Sequence, residues 1–105
     1  MNYSEILDEA RSMVGKGWWP ILDEYLPQIA ELVPDGEVYV KEKFGVLRIQ
    51  PFGPTTNREK LYELINLASK ASSSVCEECG RRAKLRPKRI RMQTLCYRCN
   101  RLKEY

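Results

Sequence analysis

Two stretches in the first third of the chain repeat apolar residues at the 3.6-residue spacing of an amphipathic α-helix. The first predicts a helix over residues 4–14, with Ser4 as its N-cap. The second predicts a helix that starts at Pro20, a residue suited to the first helical position, and ends by Pro34. Pro27 lies within this helix and lacks a backbone N–H, so we expect a kink or a break there.

Two runs of β-forming residues follow, over 37–44 and 46–52. They predict an antiparallel pair of strands that turns around Phe44 and Gly45. Because an isolated two-stranded ribbon is only marginally stable, we expect helices to cover one of its faces.

The helical period returns over residues 57–73, where Thr56 and Glu59 stand at capping-box spacing and make Thr56 the predicted N-cap. Together these patterns predict an α+β fold. N-terminal helices and a β-ribbon pack with one long helix, and a cysteine-rich segment follows.

Four cysteines in the last third of the chain form two C-x-x-C pairs separated by sixteen residues. Each C-x-x-C turn directs two thiolates at one point, and two turns complete a tetrahedral metal shell. Four thiolates with no open position indicate one structural Zn²⁺. The alternatives are two disulfides, which need an oxidising compartment, and a redox C-x-x-C, which accompanies a βαβ pattern. The predicted ligands are Cys76, Cys79, Cys96 and Cys99.

The segment between the cysteine pairs predicts a hairpin, with strands over 83–86 and 89–95 and a turn at residues 87–88. This is the layout of a zinc ribbon. Strand alternation predicts an apolar face that docks on the rest of the protein and a basic face toward solvent. The predicted apolar face holds Ile90, Met92 and Thr94, and the predicted basic face holds Arg89, Arg91 and Gln93.

Charge is distributed very unevenly along the chain. The net charge of +4 is the sum of −5 over residues 1–35, +2 over 36–75 and +7 over 76–105. The basic end indicates contact with a nucleic-acid backbone, DNA or RNA. Two other interpretations remain: these cations offset the charge of a thiolate-bound zinc, or they meet an acidic protein. The predicted nucleic-acid-binding residues are Arg82, Lys84, Arg86, Lys88, Arg89, Arg91 and Arg98.

Two adjacent tryptophans cannot share one helix face, so we expect at least one of them to pack in the core. The other, together with the charged strand region, is a candidate anchor for a protein partner. The possible anchor residues are Trp18, Trp19, Lys41, Lys43, Phe44 and Arg48.

The sequence contains no histidine, which removes the usual general base and any Ser-His or Cys-His nucleophile. With no open metal position either, we expect a protein that is not an enzyme. No apolar run approaches the ~18–20 residues that span a bilayer, and the first residues do not form a secretory signal. We therefore expect a cytoplasmic protein that does not act at a membrane.

Four motifs occur in a fixed order, at residues 17–22, 41–48, 76–80 and 94–99. Over residues 15–100 the chain resembles a family of small uncharacterised proteins encoded by bacteria and their phages. That family combines a "KEKFGxLR" ribbon with a C-terminal four-cysteine motif similar to a zinc ribbon. The resemblance implies a bacterial cell, or a phage-infected one, as the setting.

We therefore predict a body over residues 1–75 and a zinc ribbon over 76–105 that docks on it as one compact unit. The predicted function is non-enzymatic binding of a nucleic-acid backbone through the basic ribbon. The alternative is a regulator or inhibitor that binds a host protein. The oligomeric state does not follow from the sequence.

Overall fold

The computed structural model describes residues 2–102, which form four α-helices, a short 3₁₀ helix and two separate antiparallel hairpins. The α+β fold predicted from the sequence is thereby confirmed. In chain order the elements are α1 (Tyr3–Met13), the 3₁₀ helix (Lys16–Trp18), α2 (Trp19–Glu31), β1 (Glu37–Lys43), β2 (Val46–Phe52), α3 (Arg58–Ser72), β3 (Lys84–Arg86), β4 (Gln93–Leu95) and α4 (Tyr97–Leu102).

Strands β1 and β2 form the first hairpin, called the ribbon below. Its register places Lys43 opposite Val46 and leaves Phe44 and Gly45 as the two turn residues. Their φ angles of 55° and 78° are both left-handed, as a type I′ turn requires. The predicted strand pair and its turn are therefore confirmed.

Helices bury one face of the ribbon and leave the other face open. Helix α1 packs along β1, α3 packs along β2, and α2 contacts both helices. Because side chains alternate between the two faces of a strand, every second ribbon residue points into this core. The core includes Val38, Val40, Leu47 and Ile49 from the ribbon, and Ile6, Ala10, Trp18, Leu22, Leu26, Ile29, Leu61, Leu64 and Ala68 from the helical segments.

Two helix caps differ from the predicted ones. Asn2 caps α1 by accepting a hydrogen bond of 2.9 Å from the backbone N–H three residues later, so the cap precedes the predicted Ser4. Asn57 caps α3 in the same way at 3.1 Å, in place of the predicted Thr56. Both asparagines have the extended backbone that an N-cap adopts, and asparagine is among the strongest cap residues.

Helix α2 runs without interruption past Pro27, so the predicted break does not occur. Proline removes one backbone donor, and beside it the Gln28 side-chain amide donates to the Glu24 carbonyl at 2.8 Å. Burial explains why the helix persists, since its apolar face is fixed in the core before and after the proline. The fully buried residues on this face are Leu22, Leu26 and Ile29.

Residues 76–102, called the cysteine module below, contain the hairpin β3–β4 and the helix α4. Strand β4 begins at Gln93, and residues 89–91 form a bend instead of the predicted strand. The predicted sides are wrong for three residues: Ile90 is 92% exposed, whereas Arg89 and Gln93 are only 8% and 6% exposed. A bend loses the two-residue alternation of a strand, and Arg89 finds hydrogen-bond acceptors on the inside.

Among the contacts between the cysteine module and the body, residues 2–75, two lie at glycine-containing turns. At the first, the Gly17 backbone N–H donates to the Glu77 carbonyl at 3.0 Å. At the second, the Thr94 hydroxyl donates to the Gly45 carbonyl at 2.6 Å, at the tip of the ribbon. A Cβ added at Gly17 or Gly45 would lie within 2.7 Å of a module atom, so the close approach depends on glycine.

Candidate metal centre and basic surface

Two local structures bring the four predicted cysteine ligands together. The first pair lies in a tight turn, where the Gly80 N–H donates to the Cys76 carbonyl at 2.9 Å. The second pair begins just before α4, and the Asn100 N–H donates to the Cys96 carbonyl at 2.9 Å. The tight turn that holds the first cysteine pair and the start of α4, which holds the second pair, therefore lie on either side of the base of the hairpin β3–β4.

The sulfur geometry fits one tetrahedral metal ion. The four Sγ atoms all lie within 4.8 Å of one another, and those of Cys79 and Cys96 are 3.6 Å apart. Bonds of about 2.3 Å to a tetrahedral Zn²⁺ would separate the sulfurs by about 3.8 Å. All four cysteines are free thiols, whereas a disulfide would require a separation of about 2.05 Å. The arrangement can hold a metal ion without rearrangement of the backbone.

The four thiols influence one another's protonation. The Cys99 backbone N–H donates to the Cys96 sulfur at 3.4 Å, and this bond, together with hydrogen bonds from the neighbouring thiols, lowers the pKa of Cys96 to about 7. Burial raises the pKa of Cys99, and hydrogen bonds with the neighbouring thiols raise it further. A bound divalent cation would favour the thiolate form of every ligand, because metal binding displaces the thiol protons.

A network of hydrogen-bonded, mostly buried side chains lies next to the four cysteines. The Glu77 carboxylate accepts hydrogen bonds from the Gln93 side-chain amide at 2.9 Å and from the Thr94 N–H at 3.2 Å. Burial raises the pKa of Glu77, although these two hydrogen bonds act against the increase. Arg89 donates to the side chains of Gln93 at 3.2 Å and Asn100 at 3.0 Å. The network links the first cysteine turn to β4 and α4.

Sequence reasoning missed this network because it treated Arg89 and Gln93 as part of a solvent-facing strand. Glu77 could have indicated this network from the sequence, because it is a carboxylate between two candidate ligand cysteines and precedes a segment rich in Arg and Lys. The structure instead assigns Arg89 a structural role inside the module.

Four of the predicted nucleic-acid-binding residues form one continuous surface along β3 and the turn that follows it. Two adjacent depressions share Lys84 and Arg86. Lys88 lines one of them, and Arg82 and Tyr97 line the other. Tyr97 is 70% exposed and was not predicted as a functional residue. We call this the basic surface, and its cations are Arg82, Lys84, Arg86 and Lys88.

Two other predicted cations occupy different positions. Arg98 is exposed on α4 and lines neither of these depressions. Arg91 is exposed but lies 3.7 Å from a carboxylate oxygen of Glu42 and 3.7 Å from one of Glu77. Its charge is therefore partly offset, and it connects the ribbon to the cysteine module.

The predicted partner-anchor residues separate into a buried and an exposed group. Trp18 is fully buried, and its indole N–H donates to the Val75 carbonyl at 2.8 Å. Trp19 is half-buried, and its indole N–H donates to the Arg11 carbonyl at 3.2 Å. The remaining four line one groove between the ribbon and α3; they are Lys41, Lys43, Phe44 and Arg48.

Comparisons of the chain with protein-family models, with curated proteins and with solved structures found no match in any of the three. Across residues 2–102, no helix combines the length and the apolar character needed to cross a membrane.

Proposed function

We propose that this protein is a non-enzymatic zinc-binding protein that binds a nucleic-acid backbone through the basic surface of its cysteine module. The ion is assigned as zinc because four thiolates in a closed tetrahedron are the ligands of structural Zn²⁺. Its role is to fix the hairpin β3–β4, a segment too small to fold by itself. The proposal includes a cytoplasmic location, where reducing conditions would keep the thiols available to the metal.

The observation that carries the proposal is the basic surface itself. Arg82, Lys84, Arg86 and Lys88 follow one another along a single hairpin edge, and none of the described residues that line its two depressions is acidic. Arginine and lysine side chains spaced along an edge in this way can contact successive phosphates. Tyr97 adds an exposed ring beside the cations, where it can pack against a sugar of the backbone.

The charge of the metal centre does not account for these cations. Four thiolates around Zn²⁺ carry a net charge of about −2. Residues 76–102 contain nine Lys and Arg and two Glu, a formal charge of +7. The module therefore keeps a positive excess after the metal site is neutralised, and a polyanion is the ligand that uses such an excess.

The alternative of a protein-binding regulator is the weaker proposal. Of its predicted anchors, Trp18 is enclosed in the core and Trp19 is half-buried, which leaves only the ribbon residues Lys41, Lys43, Phe44 and Arg48 for a partner. We also propose a bacterial cell, or a phage-infected one, as the setting, because the family that the chain resembles is encoded by bacteria and their phages.

The test is fluorescence anisotropy with labelled duplex DNA and RNA at about 100 mM salt, with zinc-loaded protein. The test variant replaces Arg82, Lys84 and Lys88 with glutamine, which leaves Arg86 and its 3.2 Å hydrogen bond to the Leu95 carbonyl intact. The matched control removes three exposed cations from α3 and therefore changes the net charge equally: Arg58→Gln, Lys60→Gln and Lys70→Gln.

We expect binding that the test variant weakens at least tenfold and the control changes by less than about twofold, since contacts to phosphate are local. Equal losses in both variants would show that only net charge matters. Absence of binding to either duplex would remove the proposal and leave a protein partner as the next hypothesis to examine by capture from a bacterial lysate.

A further inference from the structure

The open face of the ribbon carries an unusual set of side chains. Alternation places residues 39, 41 and 43 of β1 on this face together with residues 48, 50 and 52 of β2, opposite the face that the helices bury. An antiparallel sheet can leave one face in water, where polar residues are ordinary. Here the face instead combines cations at one end with aromatic rings at both ends.

The positions of the cations on this face destabilise the ribbon through charge repulsion. Lys41 lies directly opposite Arg48 in the register, and Lys43 is on the same face two residues farther along. Like charges in directly opposed positions destabilise a strand pair. Within residues 2–102 none of the three lies within ion-pair distance of a carboxylate. A bound anion would turn this repulsion into attraction.

The aromatic residues lie at the two ends of the same face. Phe44 in the turn is 58% exposed, and Phe52 at the end of β2 is 53% exposed. The Tyr39 ring meets the Phe52 ring edge-on, with 5.7 Å between the centroids. Strand β2 separates the two phenylalanines by about 20 Å, given a rise of about 3.4 Å per residue.

We propose that the open face of the ribbon binds an unpaired nucleic-acid strand, with Lys41, Lys43 and Arg48 on its phosphates and Phe44 and Phe52 stacked on its bases. Exposed rings among cations are the combination that single-strand-binding surfaces use, because every base presents a π-face once it is unpaired. In a duplex the bases are stacked on one another, so the rings contribute nothing. Glu37, the carboxylate on this face, lies opposite Phe52 at the end away from the three cations, and it accepts a hydrogen bond of 2.6 Å from the Tyr39 hydroxyl.

This inference rests on the proposed function and adds a second surface that distinguishes single strands from duplexes. The experiment compares a labelled 12-nucleotide single strand with the corresponding duplex, in the same anisotropy assay and with the zinc-loaded 105-residue protein.

Phe52→Leu removes the ring but keeps an apolar side chain, and Phe52→Trp restores a ring. Lys41→Gln with Arg48→Gln removes two charges, and Arg58→Gln with Lys60→Gln is the charge-matched control. Melting temperatures confirm that each variant is folded.

We expect Phe52→Leu to weaken single-strand binding about tenfold and to leave duplex binding within about twofold, while Phe52→Trp keeps single-strand affinity. The Lys41 and Arg48 double variant should lose more single-strand affinity than its control. Single-strand binding that is unchanged by Phe52→Leu, or equal losses on both ligands, would overturn the inference. The proposed function fails separately, if the Arg82, Lys84 and Lys88 variant binds duplex as well as the wild type does.

Discussion

Gly17→Ala is the substitution that tests most sharply how the cysteine module is held on the body. Gly17 lies in the 3₁₀ helix, and its backbone runs directly against the first cysteine turn. A Cβ at this position would lie 1.8 Å from the Cys76 carbonyl oxygen, 2.6 Å from the Gly80 nitrogen and 2.8 Å from the Glu77 carbonyl carbon. All three are backbone atoms, so no side-chain rotation can relieve the overlap.

The magnitude follows from two costs. Ordinary van der Waals contact at 3.4 Å requires the two backbones to separate by about 1.6 Å, and such overpacking typically costs about 1–3 kcal/mol. The separation also breaks the 3.0 Å hydrogen bond from the Gly17 N–H to the Glu77 carbonyl, a further ~1 kcal/mol. We therefore expect a loss of about 2–4 kcal/mol in the free energy of unfolding. For a domain of this size that lowers Tm by about 10 °C or more.

The assay is thermal unfolding of zinc-loaded protein, followed by circular dichroism, with zinc content measured before and after heating. Lys16→Ala is the matched control, because Lys16 lies in the same short helix with an exposed side chain. We expect Lys16→Ala to melt within about 2 °C of the wild type. A Gly17→Ala protein that melts with the control would refute the close docking described above.

Three further predictions concern the metal centre, the second contact and the caps. Cys79→Ser should reduce bound zinc from one ion per chain to well under half, measured by mass spectrometry of the metal, because three ligands bind a structural zinc poorly. Thr94→Val should cost about 1–2 kcal/mol in urea unfolding, since it removes the 2.6 Å hydrogen bond to the Gly45 carbonyl. Asn57→Ala should cost about 1 kcal/mol, and Thr56→Ala only a few tenths, in the same urea assay.

Each of these predictions has a result that would contradict it. Full zinc occupancy in Cys79→Ser would show that Cys79 is not a ligand. An unchanged urea midpoint in Thr94→Val would mean that the ribbon tip does not contribute to docking. A larger loss for Thr56→Ala than for Asn57→Ala would restore the capping box that the sequence indicated.

The elements of the fold could be predicted because each has a local cause. Helical periodicity gave α1, α2 and α3 to within a few residues, and Gly45 between two β-forming runs gave the ribbon. The errors are also local. Ser4 and Thr56 satisfy the usual cap preferences, but a neighbouring asparagine takes the position in both cases. Pro27 does not end α2, because core packing outweighs one missing backbone donor.

The candidate site was predictable where spacing alone determines the chemistry and not where tertiary contacts do. The two C-x-x-C pairs identified the four cysteines that converge. Strand alternation, by contrast, placed Arg89 toward solvent, whereas the Gln93 and Asn100 side chains draw it inside. The exposure of Tyr97 depends on α4, which the sequence pattern did not indicate.

The salt dependence of duplex binding tests the central claim most directly. Each phosphate contact contributes about −0.9 to the slope of log affinity against log salt concentration. For wild-type protein we predict a steep negative slope between about 50 and 200 mM salt. In the variant that lacks the charges of Arg82, Lys84 and Lys88, the slope should be shallower by about 2.7. A flat wild-type slope, or identical slopes for the two proteins, would contradict the assignment of this surface to a nucleic-acid backbone.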